Sequence, residues 1–155
     1  MSLHEHSGKL LYNLARPFIF LWLRPSNVRV RVLVTNDANE ILLVRSWFGR
    51  QLWSAPGGGI GWGEELRAAA ARETREETGI IITMSQLKDL GPLDALSTEI
   101  RSTLLGFATT ANGTPKIKNL IHRLEILDVQ WFPLDKLPTN HSAVVDELLA
   151  KTGHI

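Results

Sequence analysis

The chain contains no cysteine, and this absence excludes several kinds of site. None of its 155 residues can form a disulfide bond, supply a thiolate ligand to zinc or act as a cysteine nucleophile. A metal site in this chain would have to do without thiolates. A chain without disulfides is compatible with a reducing compartment, and we expect a cytoplasmic protein.

A strong charge of either sign is also missing. Lysine and arginine number 17 and aspartate and glutamate 16, which gives a net charge of +1 at pH 7. Such a chain has no overall field that would recruit nucleic acid or anionic lipid, and no nucleic-acid partner is indicated. A polyanionic substrate would have to be held locally, by a metal ion and a few basic side chains.

Long apolar runs are absent as well. The run at residues 18–23 is far too short for a membrane-spanning helix, which needs about 20 residues. The length suits one domain, which we assign to residues 27–155, with a helical extension at residues 1–26. This helix would pack on the core or on a second copy of the chain in a homodimer. The alternative is an amphipathic helix whose basic side chains meet lipid headgroups.

After residue 26 the pattern alternates between strands and helices. Valines alternate from Val28 to Val34, a polar turn follows at 36–39, and residues 41–44 are again apolar, which predicts a hairpin. The other predicted elements are strands at 80–84 and 100–109, a loop around Gly91-Pro92, and a closing helix at 143–151 between Ser142 as N-cap and Gly153. This order of elements predicts an α/β (α+β) fold.

Residues 56–80 combine a glycine-rich turn with a helix that is crowded with carboxylates. In the turn, Gly57, Gly58 and Gly59 permit backbone conformations and close approaches to a ligand or metal that side chains would obstruct. The turn is not a Walker phosphate loop, because two glutamates follow Gly63 where that motif has Lys and then Ser or Thr.

The helix that follows is predicted from about residue 64 to residue 78. Its Glu73, Glu76 and Glu77 stand at i, i+3 and i+4, so the three side chains project from one face. Arg72 lies one turn before Glu76 and can brace it. A solvated acidic face is the alternative interpretation, but the adjacent glycine turn favours a shared site.

The spacing of these residues resembles the Nudix box, G-x5-E-x7-R-E-U-x-E-E-x-G-U, in which U is bulky and apolar. The matching residues are Gly58, Glu64, Arg72, Glu73, Glu76, Glu77, Gly79 and Ile80. Thr74 departs from the box at the first U position, and we expect it to weaken packing under the helix. Gly61 and Trp62 also differ from many relatives, and we expect Trp62 to alter the pocket rim.

Similarity to the Nudix hydrolases, which covers roughly residues 28–138, implies an α/β/α sandwich with a mixed sheet. It also implies that residues 125–137 form the last core strand and its exit. It also implies hydrolysis of the pyrophosphate bond of a nucleoside diphosphate linked to another moiety. Clustered carboxylates suit Mg²⁺, with Mn²⁺ as a substitute. The resemblance assigns as metal ligands the Gly57 carbonyl and the carboxylates of Glu73, Glu76 and Glu77, with Arg72 and Glu64 orienting the cluster.

The general base stays open between several residues. In some relatives it is a glutamate of the box, here Glu73. In others it comes from a late loop, where Glu125 is the best placed acid and Glu99 the reserve. His122 is a further candidate.

The resemblance also suggests where a small nucleotide-type substrate binds. Arg45 and Arg50 are candidate phosphate ligands, and Gly58 and Gly59 would let the substrate lie close to the backbone. Four aromatic residues are candidates either to stack on a base or to pack in the core: Trp47, Phe48, Trp53 and Trp62. The alternative function is a catalytically silent nucleotide-binding module of the same fold.

Overall fold

The computed structural model describes residues 27–47, 50–94, 103–117 and 125–154. Within these ranges the strands are β1 (Val28–Thr35), β2 (Glu40–Ser46), β3 (Trp53–Ser54), β4 (Lys88–Leu93), β5 (Thr103–Thr110) and β6 (Ile126–Pro133). The α-helices are α1 (Leu66–Thr78) and α2 (Ala143–Thr152), and a short 3-10 helix spans Met84–Gln86. The extension predicted at residues 1–26 lies outside the described residues, so the homodimer or lipid contact expected from it stays a prediction.

All six strands belong to one mixed sheet. The order along the sheet is β3-β2-β1-β5-β4, and β6 pairs with β2. Strands β1 and β5 are parallel, with Val28 opposite Thr103, whereas the other strand pairs are antiparallel. The mixed sheet expected from the sequence is confirmed.

Strands β1 and β2 separate beyond the turn that connects them, and the glycine turn lies in the gap. Away from this turn, β2 pairs with β3 rather than with β1. The backbone N–H groups of Val30 and Val32 donate instead to the carbonyls of Gly58 and Pro56, each at 2.9 Å. The glycine turn is therefore held directly against β1.

The two α-helices pack on opposite faces of the sheet. Helix α1 contributes the fully buried Ala69 and Ala70 to a core that includes Val30, Val32 and Val34 of β1. The buried residues of α2 join Leu33 in the core on the other face. Burying each valine or leucine side chain of these cores contributes roughly 1.5–3 kcal/mol, so both helices are fixed by their apolar faces. The α/β/α sandwich is confirmed.

The closing helix α2 lies between the two end residues that the sequence predicts. The Ser142 hydroxyl accepts a hydrogen bond from the Val144 N–H at 3.4 Å, and Gly153 after the helix has a left-handed φ of +77°. The strands predicted at 100–109 and 125–137 correspond to β5 and β6. In the described part of the chain, no helix is long and apolar enough to cross a membrane.

The strand predicted at 80–84 is wrong. This stretch buries Ile80 and Ile82 and leaves Ile81 72% exposed, but it pairs with no strand and leads into the 3-10 helix. The strand instead follows as β4, which contains the Gly91-Pro92 pair that we expected in a loop. Because β4 is an edge strand, a proline without an N–H is tolerated, and Gly91 takes a φ of +75° at a register shift.

Candidate active site

Helix α1 carries the carboxylates and ends at Thr78, as the sequence predicts. It begins at Leu66 rather than near residue 64, and Glu65 precedes it in an extended conformation. At the other end Gly79 adopts a left-handed φ of +75° and donates its N–H to the Arg75 carbonyl at 2.9 Å. The last turn of the helix, with its glutamates, is thereby closed in a defined orientation.

Thr74, which departs from the Nudix box, is fully buried under α1. Its hydroxyl donates to the Ala70 carbonyl at 2.8 Å. The hydrogen bond within the helix satisfies the hydroxyl, so the side chain fits an apolar position without an unpaired polar group.

The glycine turn lies too close to its neighbours for side chains at two positions. Gly57 has a φ of +144°, and a Cβ there would lie 2.1 Å from the Val30 carbonyl oxygen. A Cβ on Gly58 would lie 2.6 Å from the Glu73 carboxylate, whereas one on Gly59 would meet no atom within 4 Å. The first two glycines therefore allow β1, the turn and the carboxylates of α1 to meet.

Arg72 lies at the centre of the carboxylate cluster. Its guanidinium donates to both carboxylate oxygens of Glu64 at 2.7 and 2.8 Å, to Glu73 at 2.8 Å, to Glu76 at 3.1 Å and to the Gly59 carbonyl at 3.1 Å. The hydrogen bond with Glu64 raises the pKa of Arg72 and lowers the pKa of Glu64. Arg72 thus contacts Glu76, as the sequence predicts, and joins the cluster to the glycine turn.

Glu77 is hydrogen-bonded to the backbone of the turn. The Gly57 N–H donates to Glu77 Oε2 at 2.8 Å. Burial raises the pKa of Glu77 to about 8, the Glu73 and Glu125 carboxylates act in the same direction, and Arg31 opposes them. Burial likewise raises the pKa of Glu73. Both carboxyl groups would be stabilised as anions by a cation placed beside the turn.

The oxygen donors beside the turn suit a hard divalent cation. Glu73 and Glu77 lie against the turn, and Gly57 adds a carbonyl oxygen. Across the described ranges, however, no three or more acidic or histidine side chains converge in a group that could hold a metal ion. Arg72 donates hydrogen bonds to Glu73 and Glu76. A cation at this place would have to take over oxygens that these hydrogen bonds occupy.

Two arginines of β1 also belong to the site, although no motif in the sequence points to them. Arg31 Nη1 donates to the Gly57 carbonyl and, at 3.4 Å, to the Val30 carbonyl. Burial lowers the pKa of Arg31, and Glu77 opposes this shift. Arg29 lies two positions earlier on the same face of the strand. The only signal in the sequence is the Val-Arg alternation, which places both arginines on one face.

The predicted phosphate ligands lie on and near β2. The Arg45 guanidinium lies 5.1 Å from the centroid of the Trp53 ring and 3.5 Å from the Asp128 carboxylate. Arg50 is exposed. Trp53 itself is only 7% exposed and packs edge-on against Phe132 with the ring centroids 4.8 Å apart, so Trp53 is a core residue.

Glu125 lies within electrostatic range of Glu77, because its carboxylate contributes to the raised pKa of that residue. Its carbonyl accepts a hydrogen bond from the Trp47 N–H at 2.9 Å. Trp62, on the turn before α1, is 91% exposed. The remaining candidates lie outside the described residues, namely Phe48, Glu99 and His122.

A family model for the NUDIX domain matches residues 25–152 of the chain. The chain belongs to the Nudix hydrolase family. This confirms the resemblance carried by residues 58–80 and the enzyme family expected from it. The glycine turn and helix α1 of this Nudix protein are therefore its Nudix box.

Known relatives of this Nudix protein include proteins of several kinds. The m7GpppN-mRNA hydrolase dcap-2 of Caenorhabditis elegans is 33% identical over 122 residues, which are 77% of this chain and 14% of that protein. The uncharacterised Nudix hydrolase YvcI of Bacillus subtilis is 46% identical over 61 residues, 37% of this chain and 34% of YvcI. The chain thus spans a small part of the length of each of these two relatives.

Solved structures show the same fold. The crystal structure of an ADP-ribose pyrophosphatase from Streptococcus suis superposes with a TM-score of 0.61 at 21% identity, covering 82% of this chain and 90% of that one. At this identity the likeness concerns the fold.

Proposed function

We propose that this Nudix protein is a metal-dependent pyrophosphohydrolase that cleaves the pyrophosphate bond of a small nucleoside diphosphate derivative. The observation that carries the proposal is the position of two carboxylates against the glycine turn. Glu77 accepts the Gly57 N–H at 2.8 Å, and the Glu73 carboxylate lies 2.6 Å from where a Cβ of Gly58 would be. This arrangement puts acidic oxygens where backbone and substrate can approach each other closely.

The proposed metal ligands are the Gly57 carbonyl and the carboxylates of Glu73, Glu76 and Glu77. Oxygen ligands of this kind suit Mg²⁺, and Mn²⁺ as a substitute. When bound, the cation would neutralise charge on the pyrophosphate oxygens and acidify a water molecule. Arg72 would keep the carboxylates oriented through its hydrogen bonds.

Glu125 is the proposed general base, because it lies within electrostatic range of Glu77 and outside the set of metal ligands. It would accept the proton of the attacking water. Glu73 is the alternative base. Arg45 and Arg50 are proposed to contact the substrate phosphates, and Gly58 and Gly59 would leave room for the substrate beside the backbone.

A catalytically silent nucleotide-binding module is the second candidate function. The observation that favours it is the lack of three converging acidic or histidine side chains in the ranges described. The m7GpppN-mRNA hydrolase and the ADP-ribose pyrophosphatase are named for different substrates, so no particular nucleotide is proposed. The cytoplasmic location suggested by the cysteine-free sequence stays a prediction.

The test is product release from a panel of nucleoside diphosphate sugars, dinucleoside polyphosphates, nucleoside triphosphates and ADP-ribose. Each compound is assayed with Mg²⁺ and with excess chelator. We expect cleavage of at least one compound class with Mg²⁺ and none with chelator. A folded protein that binds nucleotides and cleaves none of them would contradict the hydrolase and support the silent module.

A further inference from the structure

Arg29 and Arg31 place two positive charges next to each other on β1, and Glu77 and Glu73 act electrostatically on Arg31. Neither side chain forms an ion pair with an acidic residue in the part of the chain that the structure describes. The Nε atoms of both arginines are buried and have no hydrogen-bond partner. A buried donor without an acceptor costs free energy, so an unpaired N–H in such a place requires an explanation.

The residues that pair with these two arginines in the sheet have no acidic side chains. On β5, Leu104 lies opposite Arg29 and Gly106 lies opposite Arg31. On the other side, Gly59 of the glycine turn forms a bridge with Arg29. Gly59 leaves space on its side, since a Cβ there would meet no atom within 4 Å, whereas a Cβ on Gly106 would lie 2.9 Å from Leu93. None of these paired residues carries an acidic side chain.

The pair also lies next to the proposed metal ligands. Arg31 Nη1 donates to the Gly57 carbonyl, the same oxygen that we propose as a ligand of the cation. A carbonyl oxygen has two lone pairs, so it can accept the hydrogen bond from Arg31 with one and coordinate the cation with the other. An anion held by Arg31 would therefore lie beside the cation as well, and it would be attracted to both.

From these observations we infer that Arg29 and Arg31 form an oxyanion site that binds a phosphate group of the substrate beside the glycine turn. A planar guanidinium matches phosphate oxygens with two parallel N–H donors, and the terminal Nη–H groups of the two arginines would supply such donors. A phosphate would also relieve the repulsion between the two arginines. The assignment of the phosphate to the substrate rests on the proposed function.

The test is calorimetric titration with imidodiphosphate, an analogue of pyrophosphate with a nitrogen bridge, in Mg²⁺ and in excess chelator. Arg29→Gln is the main variant, because the Arg29 side chain makes no hydrogen bond among the residues that the structure describes. Arg31→Lys is the second variant, since it keeps the charge and removes the guanidinium fork. The control is Arg75→Gln, which changes an exposed arginine of α1.

We expect imidodiphosphate to bind at least tenfold more weakly to Arg29→Gln and to Arg31→Lys than to the wild type, and equally well to Arg75→Gln. The site would be wrong if the wild type failed to bind imidodiphosphate, or if folded Arg29→Gln bound it within twofold of the wild type. Inorganic phosphate serves as a second probe. Equal affinity for the two probes would contradict a site for the substrate's pyrophosphate.

The same variants separate this inference from the proposed function. Loss of imidodiphosphate binding in Arg29→Gln, in a protein that cleaves no compound of the panel, would support the anion site and contradict the hydrolase. Cleavage by the wild type, with kcat and KM unchanged in Arg29→Gln, would contradict the anion site and leave the hydrolase standing.

Discussion

The raised pKa of Glu77 makes metal binding depend on pH in a direction that can be worked out. Burial raises this pKa to about 8, so at neutral pH the metal-free carboxyl group is largely protonated. A cation requires the carboxylate, and below pH 8 it must displace the proton. Well below pH 8 each pH unit therefore weakens binding about tenfold, and between pH 8, where the group is half protonated, and pH 6 the Kd for Mg²⁺ should rise about 50-fold, or roughly 2.3 kcal/mol.

Isothermal titration calorimetry with Mg²⁺ in buffers of different ionisation enthalpy measures both the Kd and the number of protons released. We expect close to one proton released by Glu77 per cation at pH 6.5 and close to none at pH 9. Glu77→Gln should abolish most of this pH dependence, whereas Glu65→Gln, at an exposed position before α1, should not. A Kd that stays constant from pH 8 to pH 6 would refute the reasoning.

The same shift predicts how the metal-free protein responds to pH. Because the pKa of Glu77 is raised in the folded state, its contribution favours folding below the ordinary value of 4.5 and is lost as the pH rises through about 8. Glu77 therefore makes the metal-free fold less stable in mild alkali. Added Mg²⁺ should restore stability there, since it pairs with the carboxylate.

Two further predictions concern single side chains. Thr74→Val should change the free energy of unfolding measured with urea by less than about 1 kcal/mol, because an apolar group replaces a hydroxyl bonded only within its own helix. Thr74→Ser, which loses a buried methyl group, should be less stable than Thr74→Val, and the opposite order would contradict this account of the position. Glu125→Gln should lower kcat more than tenfold, or about 1.4 kcal/mol, with little change in KM. A smaller loss of kcat would argue against Glu125 as the general base.

Much of the fold could be predicted because its signals are local. The hydroxyl of Ser142 and the backbone of Gly153 mark the ends of α2 through contacts within a few residues. Gly79 ends α1 in the same way. The spacing of the carboxylates also depends only on the helix that carries them, so the sequence was sufficient to predict the cluster with Arg72.

The remainder depended on contacts between distant segments. Arg31 contacts Gly57 because the glycine turn lies in the gap between β1 and β2. The alternation of residues within β1 does not indicate this contact. The Gly91-Pro92 pair has the local pattern of a loop. It can be part of β4 because this strand lies at the edge of the sheet, where no further strand needs the N–H that proline lacks.

The most direct test of the central claim compares Glu76→Gln with Glu65→Gln on the substrate that the wild type cleaves fastest in Mg²⁺. Glu76 belongs to the proposed metal site, whereas Glu65 is an exposed acid of the same segment. The account predicts that Glu76→Gln loses at least about 100-fold in kcat/KM, or roughly 2.7 kcal/mol, while Glu65→Gln stays within about twofold of the wild type. Equal rates for the two folded variants would contradict the claim that the carboxylates of α1 hold the catalytic metal.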